Sequence, residues 1–164
     1  MGEVPNLVSG CAYGSQRRRS TSYRLALRVV CDMRIIGLGL DLVEYESMRS
    51  LLNHAESDFI AECFTDAERA RIPDGVHRLA HLAGQFAAKE AVTKALGTGF
   101  SDGVAFGDVE IGRTEEGAPF VQLRGEAAAR ATALGVDAWF VSISHGENAA
   151  IASTIAVALD DSTG

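Results

Sequence analysis

Only two lysines occur in the chain, Lys89 and Lys94, and both lie in the stretch Gly84-Gln-Phe-Ala-Ala-Lys-Glu-Ala-Val-Thr-Lys-Ala-Leu-Gly-Thr-Gly99. Every other fixed positive charge is an arginine. A lysine ammonium is a compact charge on a flexible stem, suited to a phosphate oxygen. The spacing predicts a helix from about residue 76 to residue 96, stopped by Gly97. At about 100° per residue, Leu79, Leu82, Ala83, Phe86 and Thr93 share one face, and Glu90 projects from the middle of it. A carboxylate on an apolar stripe is costly unless it is paired or binds a metal. Lys94 follows Glu90 by four residues, so a surface ion pair worth a few tenths of a kcal/mol is one reading. The other is a site in which acid and base stand together before a glycine-rich turn. The apolar position of Glu90 favours the site.

A second carboxylate belongs to Arg34-Ile-Ile-Gly-Leu-Gly-Leu-Asp-Leu-Val-Glu44. The short apolar run suits a buried strand, and Asp41 just past it stands where a metal-binding acid is often found. Gly37 and Gly39 allow close approach of another backbone or of a ligand. Asp41 could equally be the N-cap of a helix over residues 42–53. Further helices are expected at about 58–63 and 66–71, with Thr65 and Glu68 spaced as a capping box. Strands are expected at 109–113, 120–124, 139–144 and 149–157, with hairpin turns at 114–117 and 145–148. An alanine-rich helix over 127–134 ends at Gly135. The pattern is α+β: an antiparallel sheet covered by one long and several short helices. His145, at a strand end, reads by itself as a structural or exposed histidine.

Six motifs occur in order: Ile36-Gly-Leu-Gly-Leu-Asp-Leu-Val-Glu44, Phe64-Thr-x-x-Glu68, Phe86-Ala-Ala-Lys-Glu-Ala91, Lys94-Ala-x-Gly-Thr-Gly99, Asp108-Val-Glu-Ile111 and Val141-Ser-Ile-Ser-His145. Together they resemble holo-acyl-carrier-protein synthase, the small trimeric group of the 4′-phosphopantetheinyl transferases, over roughly residues 33–159. The resemblance implies that fold, and transfer of 4′-phosphopantetheine from coenzyme A to a serine of an acyl carrier protein, with release of 3′,5′-ADP. It implies Mg²⁺ held by Asp41 and Glu90, with Lys94 directed at the same phosphates. Lys89 would reach the nucleotide phosphate, Gly97, Thr98 and Gly99 would let backbone approach the ligand, and His145 would lie beside coenzyme A. Glu44 and a metal-bound water are both candidates for taking the serine proton. A homotrimer with sites between neighbouring subunits is implied as well.

Two positions depart from the pattern. Relatives usually carry an arginine where this chain has Gln85, and another in the first helix where it has Ser47. The first departure removes a coenzyme A phosphate contact, which Gln85→Arg would restore unless Lys89 already serves it. The second removes a grip on the carrier, whether a fatty-acid or a polyketide one. A rival reading is therefore a non-catalytic or repurposed member that binds a carrier or coenzyme A without transfer. A phosphate- or nucleotide-binding regulatory domain, resting on the glycines alone, is a third.

The 164 residues suit one domain with a core of its own. Residues 1–33 hold five arginines against Glu3 and Asp32, a net +3, whereas the remainder, with ten basic and twenty acidic residues, is net −10. An acidic body argues against nucleic-acid binding, and any patch for an acidic carrier must be local. Arg49, Arg69, Arg71 and Arg78 are the arginines available for it. Cys11, Cys31 and Cys63 are too widely spaced for a disulfide framework or a metal pair, which points to the cytoplasm. Arg28 interrupts the only signal-like run, and no stretch is long enough for a membrane span. Residues 1–33 are expected to be a disordered extension ahead of the domain at 34–159, with Met33 resembling the family's own start.

Overall fold

The computed structural model describes residues 33–101 and 103–159. The expectation of a disordered segment over residues 1–33 therefore falls, apart from Met33, outside the described residues, as do Cys11 and Cys31. The order is β1 (Met33–Glu44), α1 (Tyr45–Cys63), α2 (Asp66–Arg69), a 3₁₀ turn (Gly75–His77), α3 (Arg78–Leu96), a second 3₁₀ turn (Phe106–Asp108), β2 (Val109–Arg113), β3 (Pro119–Leu123), α4 (Gly125–Leu134), β4 (Ala138–His145) and β5 (Ala149–Leu159). The fold is α+β, as expected, with the strands divided between two antiparallel sheets. One has the order β1-β5-β4, and the other is the β2-β3 hairpin.

The long helix is more enclosed than a single apolar stripe requires. Twelve of its nineteen residues are buried, among them Leu82, Ala88, Val92 and Leu96. A helix buried on most sides belongs at the centre of its domain. Around α3 one core cluster gathers Ala91, Val109, Ile111, Ala127 and Ala152, and a second gathers Met48, Phe64, Leu82 and Ala150. Gly97 ends the helix in the left-handed region at φ 75°, where a residue without a Cβ is least strained.

Gly37 and Gly39 explain how β1 meets this helix. A Cβ on Gly37 would stand 2.0 Å from the Ala95 carbonyl oxygen, and one on Gly39 would stand 1.7 Å from that of Ala91. Strand and helix thus touch backbone to backbone, and side chains alternate along the strand, so Asp41 shares the α3-facing side with the two glycines.

Asp41 is not a helix N-cap. β1 runs on through Asp41↔Ala152 to Glu44↔Ala149, and α1 starts at Tyr45 with Glu44 before it. Ladder pairing with β5 supplies the backbone partners of Leu42–Glu44 that a helix would otherwise have to supply. The two short helices expected at 42–53 and 58–63 are halves of α1, broken at Ala55 (φ −158°, ψ 51°). The Thr65–Glu68 capping box is formed.

The other side of the β1-β5-β4 sheet has no covering layer among the described residues. Leu38, Leu40, Leu42 and Phe140 are each more than half exposed there, and Ile151 is 38% exposed. The register places Leu38, Ile155 and Phe140 in one row across the sheet.

Candidate active site

Three predicted residues converge where β1 lies on α3. Lys94 Nζ is 2.6 Å from Asp41 Oδ1 and donates also to the Leu40 carbonyl at 3.3 Å. The i,i+4 ion pair of Glu90 with Lys94 is not what forms: the ammonium crosses to the strand. Glu90 keeps a half-buried carboxylate with no hydrogen-bond or ion-pair partner among the described residues. Burial above all, and then the negative charge of Asp41, hold its carboxyl above the usual range, with Lys94 acting in the opposite direction. The hydrogen bond to Asp41 holds the Lys94 ammonium above its ordinary value.

Asp41, Glu44 and Glu90 line one cleft of about 590 Å³, together with Ser47, Met48 and Phe86. Two carboxylates that repel each other beside a single ammonium are a natural seat for a divalent cation. Among the described residues no group of three or more His, Cys, Asp or Glu side chains is spaced for a metal. That donor set fits Mg²⁺, which commonly takes one or two protein carboxylates and completes its shell with phosphates and water. It does not fit a structural zinc centre, which needs four protein ligands.

Lys89 is placed elsewhere. Its side chain has 0% exposure and lies 2.7 Å from Glu68 Oε2. It also donates to the carbonyls of Phe106 at 2.9 Å and Val109 at 2.6 Å. All three ammonium donors are thus occupied inside the protein, and the expected reach to a nucleotide phosphate is not met by this placement. Helical spacing gave the direction of Lys89, about 100° from Glu90. It could not show that α2 and β2 close over that side.

His145, the last residue of β4, lies over α3. A Cβ on Gly84 would come within 2.6 Å of its Nε2. His81 precedes Gly84 by three residues and shares its helix face. Burial first, and then Arg113, Arg71 and His145, hold the His81 imidazole below its usual value. Arg71 donates to the Ile111 carbonyl at 2.9 Å, and Arg113 lies two residues further along the same strand. Of the arginines proposed for docking, Arg49, Arg69 and Arg78 are ion-paired with Glu46, Asp66 and Glu56. Neither Arg71 nor Arg113 pairs with a carboxylate among the described residues. The sequence signal for this cationic group was weak, because its members come from the turn after α2, from α3, from β2 and from β4.

Gln85, four residues after His81, is 2% exposed, and its Oε1 has no partner among the described residues. Gly97 and Gly99 stand at φ 75° and 57° with open space where a Cβ would be. Their backbone conformation therefore accounts for them before any ligand does. The Thr98 hydroxyl between them is buried without a partner among the described residues. Two residues that spacing did not mark as part of a site are Glu68 and Glu110. Glu68 accepts from Thr65 N and Ile111 N, each at 2.8 Å, and Glu110 Oε2 accepts from Thr65 Oγ1 at 3.0 Å and Arg124 at 2.9 Å. Glu68 was legible only as a cap.

Comparison with known proteins bears on the family and the fold. The chain is 47% identical over 121 residues to a holo-acyl-carrier-protein synthase of Solidesulfovibrio magneticus, spanning 74% of this chain and 97% of that protein. Among solved structures, an acyl carrier protein synthase of Plasmodium yoelii with ADP bound superposes with a TM-score of 0.70 at 28% identity, covering 78% of this chain and 98% of that one. A holo-acyl-carrier-protein synthase of Bacillus anthracis in complex with coenzyme A (3′,5′-ADP) gives 0.64 at 28% identity, covering 76% and 97%. The profile of the 4′-phosphopantetheinyl transferase superfamily matches residues 37–153. That span takes in the strand with Asp41, the helix with Glu90 and Lys94, and His145, and the chain belongs to this superfamily.

Proposed function

We infer that the protein is a holo-acyl-carrier-protein synthase, moving the 4′-phosphopantetheinyl group of coenzyme A to a serine of an acyl carrier protein. The observation that supports this most is the meeting of Asp41 and Glu90 at one cleft, with Lys94 paired to Asp41, from a strand and a helix in backbone contact. In the reaction the serine oxygen forms a bond to the phosphorus that carries the pantetheine arm. The bond from that phosphorus to the bridging oxygen breaks, and 3′,5′-ADP leaves. Asp41 and Glu90 are the residues that would hold Mg²⁺, which when bound offsets the charge of the pyrophosphate and of the leaving group. Lys94, half exposed and tied to a single carboxylate, can turn from Asp41 to a phosphate oxygen and stabilise charge that grows in the transition state. Glu44, which lines the same cleft, is this chain's candidate for taking the serine proton.

The unpaired cations Arg71 and Arg113, with His81 and His145, are the best candidates for another phosphate of coenzyme A now that Lys89 is committed elsewhere. They carry the load that an arginine at the position of Gln85 would have carried. The uncovered apolar sheet face supports a homotrimer, since large exposed apolar patches mark contact surfaces. We place the protein in the cytoplasm with its carrier; no helix among the described residues is long and apolar enough to cross a membrane.

Incubation of an apo carrier protein with coenzyme A, Mg²⁺ and the protein tests the reading by mass spectrometry. The carrier should gain one phosphopantetheine, and only when Mg²⁺ is present. Tight binding of coenzyme A without any gain in carrier mass would instead establish the non-catalytic alternative.

A further inference from the structure

A lysine with no solvent exposure is among the most costly side chains to bury. Replacing a buried ion pair by apolar residues of similar size is often neutral or stabilising, so stability alone gives little reason for Lys89 and Glu68. Their partners suggest another reason. Lys89 starts on α3, one residue before Glu90, and its three donors end on Glu68, Phe106 O and Val109 O. Glu68 in turn accepts from Thr65 N and Ile111 N. The pair therefore fastens three separate segments to the helix that carries Glu90: the start of α2, the 3₁₀ turn at Phe106 and strand β2.

One of those segments leads back to the cleft. The ring of Phe106, whose carbonyl Lys89 holds, stacks on Phe86 with centroids 5.3 Å apart and planes 27° from parallel. Phe86 lines the cleft beside Asp41 and Glu90 and precedes Glu90 by one helical turn. We propose that Lys89 is a positioning residue: held by Glu68, it fixes the Phe106 carbonyl, and through the Phe106–Phe86 stack it sets the wall against which the Glu90 carboxylate stands. It touches no substrate. The inference rests on the transferase reading and adds to it a function for Phe64-Thr-x-x-Glu68, which supplies the counter-ion for the neighbour of the catalytic acid.

The test compares the parent with the charge-free pair Glu68→Gln/Lys89→Met, which leaves no lone charge in the core. Calorimetric titration with coenzyme A and Mg²⁺ counts the competent sites, and turnover is expressed per site. Because a small misplacement of reacting groups costs far more in rate than in binding, kcat per site should fall about tenfold or more, while the KM for coenzyme A stays within about threefold. A pair that only stabilises the fold would leave kcat per competent site at the parental value, and that result overturns the proposal. Should the double variant fail to fold, Phe106→Leu carries the test. It keeps the backbone carbonyl on Lys89 and removes only the ring from the stack, so the same loss is expected and parental turnover again overturns the idea. A parent that transfers nothing sinks the transferase reading and this inference with it, whereas an active parent with unaffected variants sinks the inference alone.

Discussion

Lys89 and Lys94 stand five positions apart on α3, and their surroundings are opposites. Lys89 is wholly enclosed, with a carboxylate and two carbonyls around it, whereas Lys94 is 47% exposed and tied to a single carboxylate, Asp41. A donor already satisfied three times has nothing left for a ligand, and leaving its site would strand a buried acid. A donor held by one carboxylate and one long contact to the Leu40 carbonyl, at the edge of water, can be exchanged for a phosphate oxygen at little cost. The same side chain is thus a fastener in one place and a reagent in the other. The difference comes from what packs over each side of the helix.

The strongest way to break that contrast is to remove the acids that give Lys94 its setting. Asp41→Asn and Glu90→Gln should each reduce transfer by about 10²-fold or more. Glu90→Gln should leave the melting temperature unchanged or raised, because it removes a carboxylate that burial and Asp41 disfavour. Near-normal turnover of either variant at low Mg²⁺ would remove the metal assignment.

Next come the lysines themselves. Lys89→Ala leaves Glu68 as a lone buried charge and should cost about 3–5 kcal/mol in urea unfolding. Lys94→Ala should cost at most about 1 kcal/mol, since its pair is solvent-screened. Its transfer rate per folded molecule should nevertheless fall about 10²-fold. Equal stability losses at the two positions would erase the distinction between the two lysines.

A smaller effect sharpens the picture at the cationic group. His81 is held below its ordinary value of 6.5 by burial, Arg113, Arg71 and His145. Between the folded value and 6.5 the unfolded chain binds a proton that the folded chain refuses, so stability should fall as pH drops through that window and level off below it. His81→Phe should flatten this acid slope, measured by urea midpoints at several pH values. Added 3′,5′-ADP should also flatten it in the parent if the group receives a phosphate. An identical slope in parent and variant would mean that another group is responsible.

Much of this could be read from the chain before any fold was known. The short apolar run after Arg34 marked a strand, the spacing from Leu79 to Thr93 marked a helix, and both acids and Lys94 were singled out from those patterns. Gly97 and Gly135 stopped their helices where expected. Legibility failed where the answer depended on distant segments. Asp41 looked like a cap because the pairing of Leu42–Glu44 with Ala149–Ile151 is invisible locally. Lys89 looked available because its lid, Glu68 with Phe106 and Val109, comes from both sides along the chain. The cationic group at His81 was missed for the same reason: no two of its arginines are neighbours in sequence.

The bare contact of Gly37 and Gly39 with the carbonyls of Ala95 and Ala91 has a consequence for how this site can be inherited or moved. With no side chain between strand and helix, the spacing of the two acids is measured by main chain alone, like a ruler with no adjustable part. Core residues elsewhere can drift in size without changing it, yet at 37 and 39 even a single methyl group has no room. Anyone transplanting the acid pair into another strand-and-helix scaffold would have to carry the two glycines along with Asp41 and Glu90.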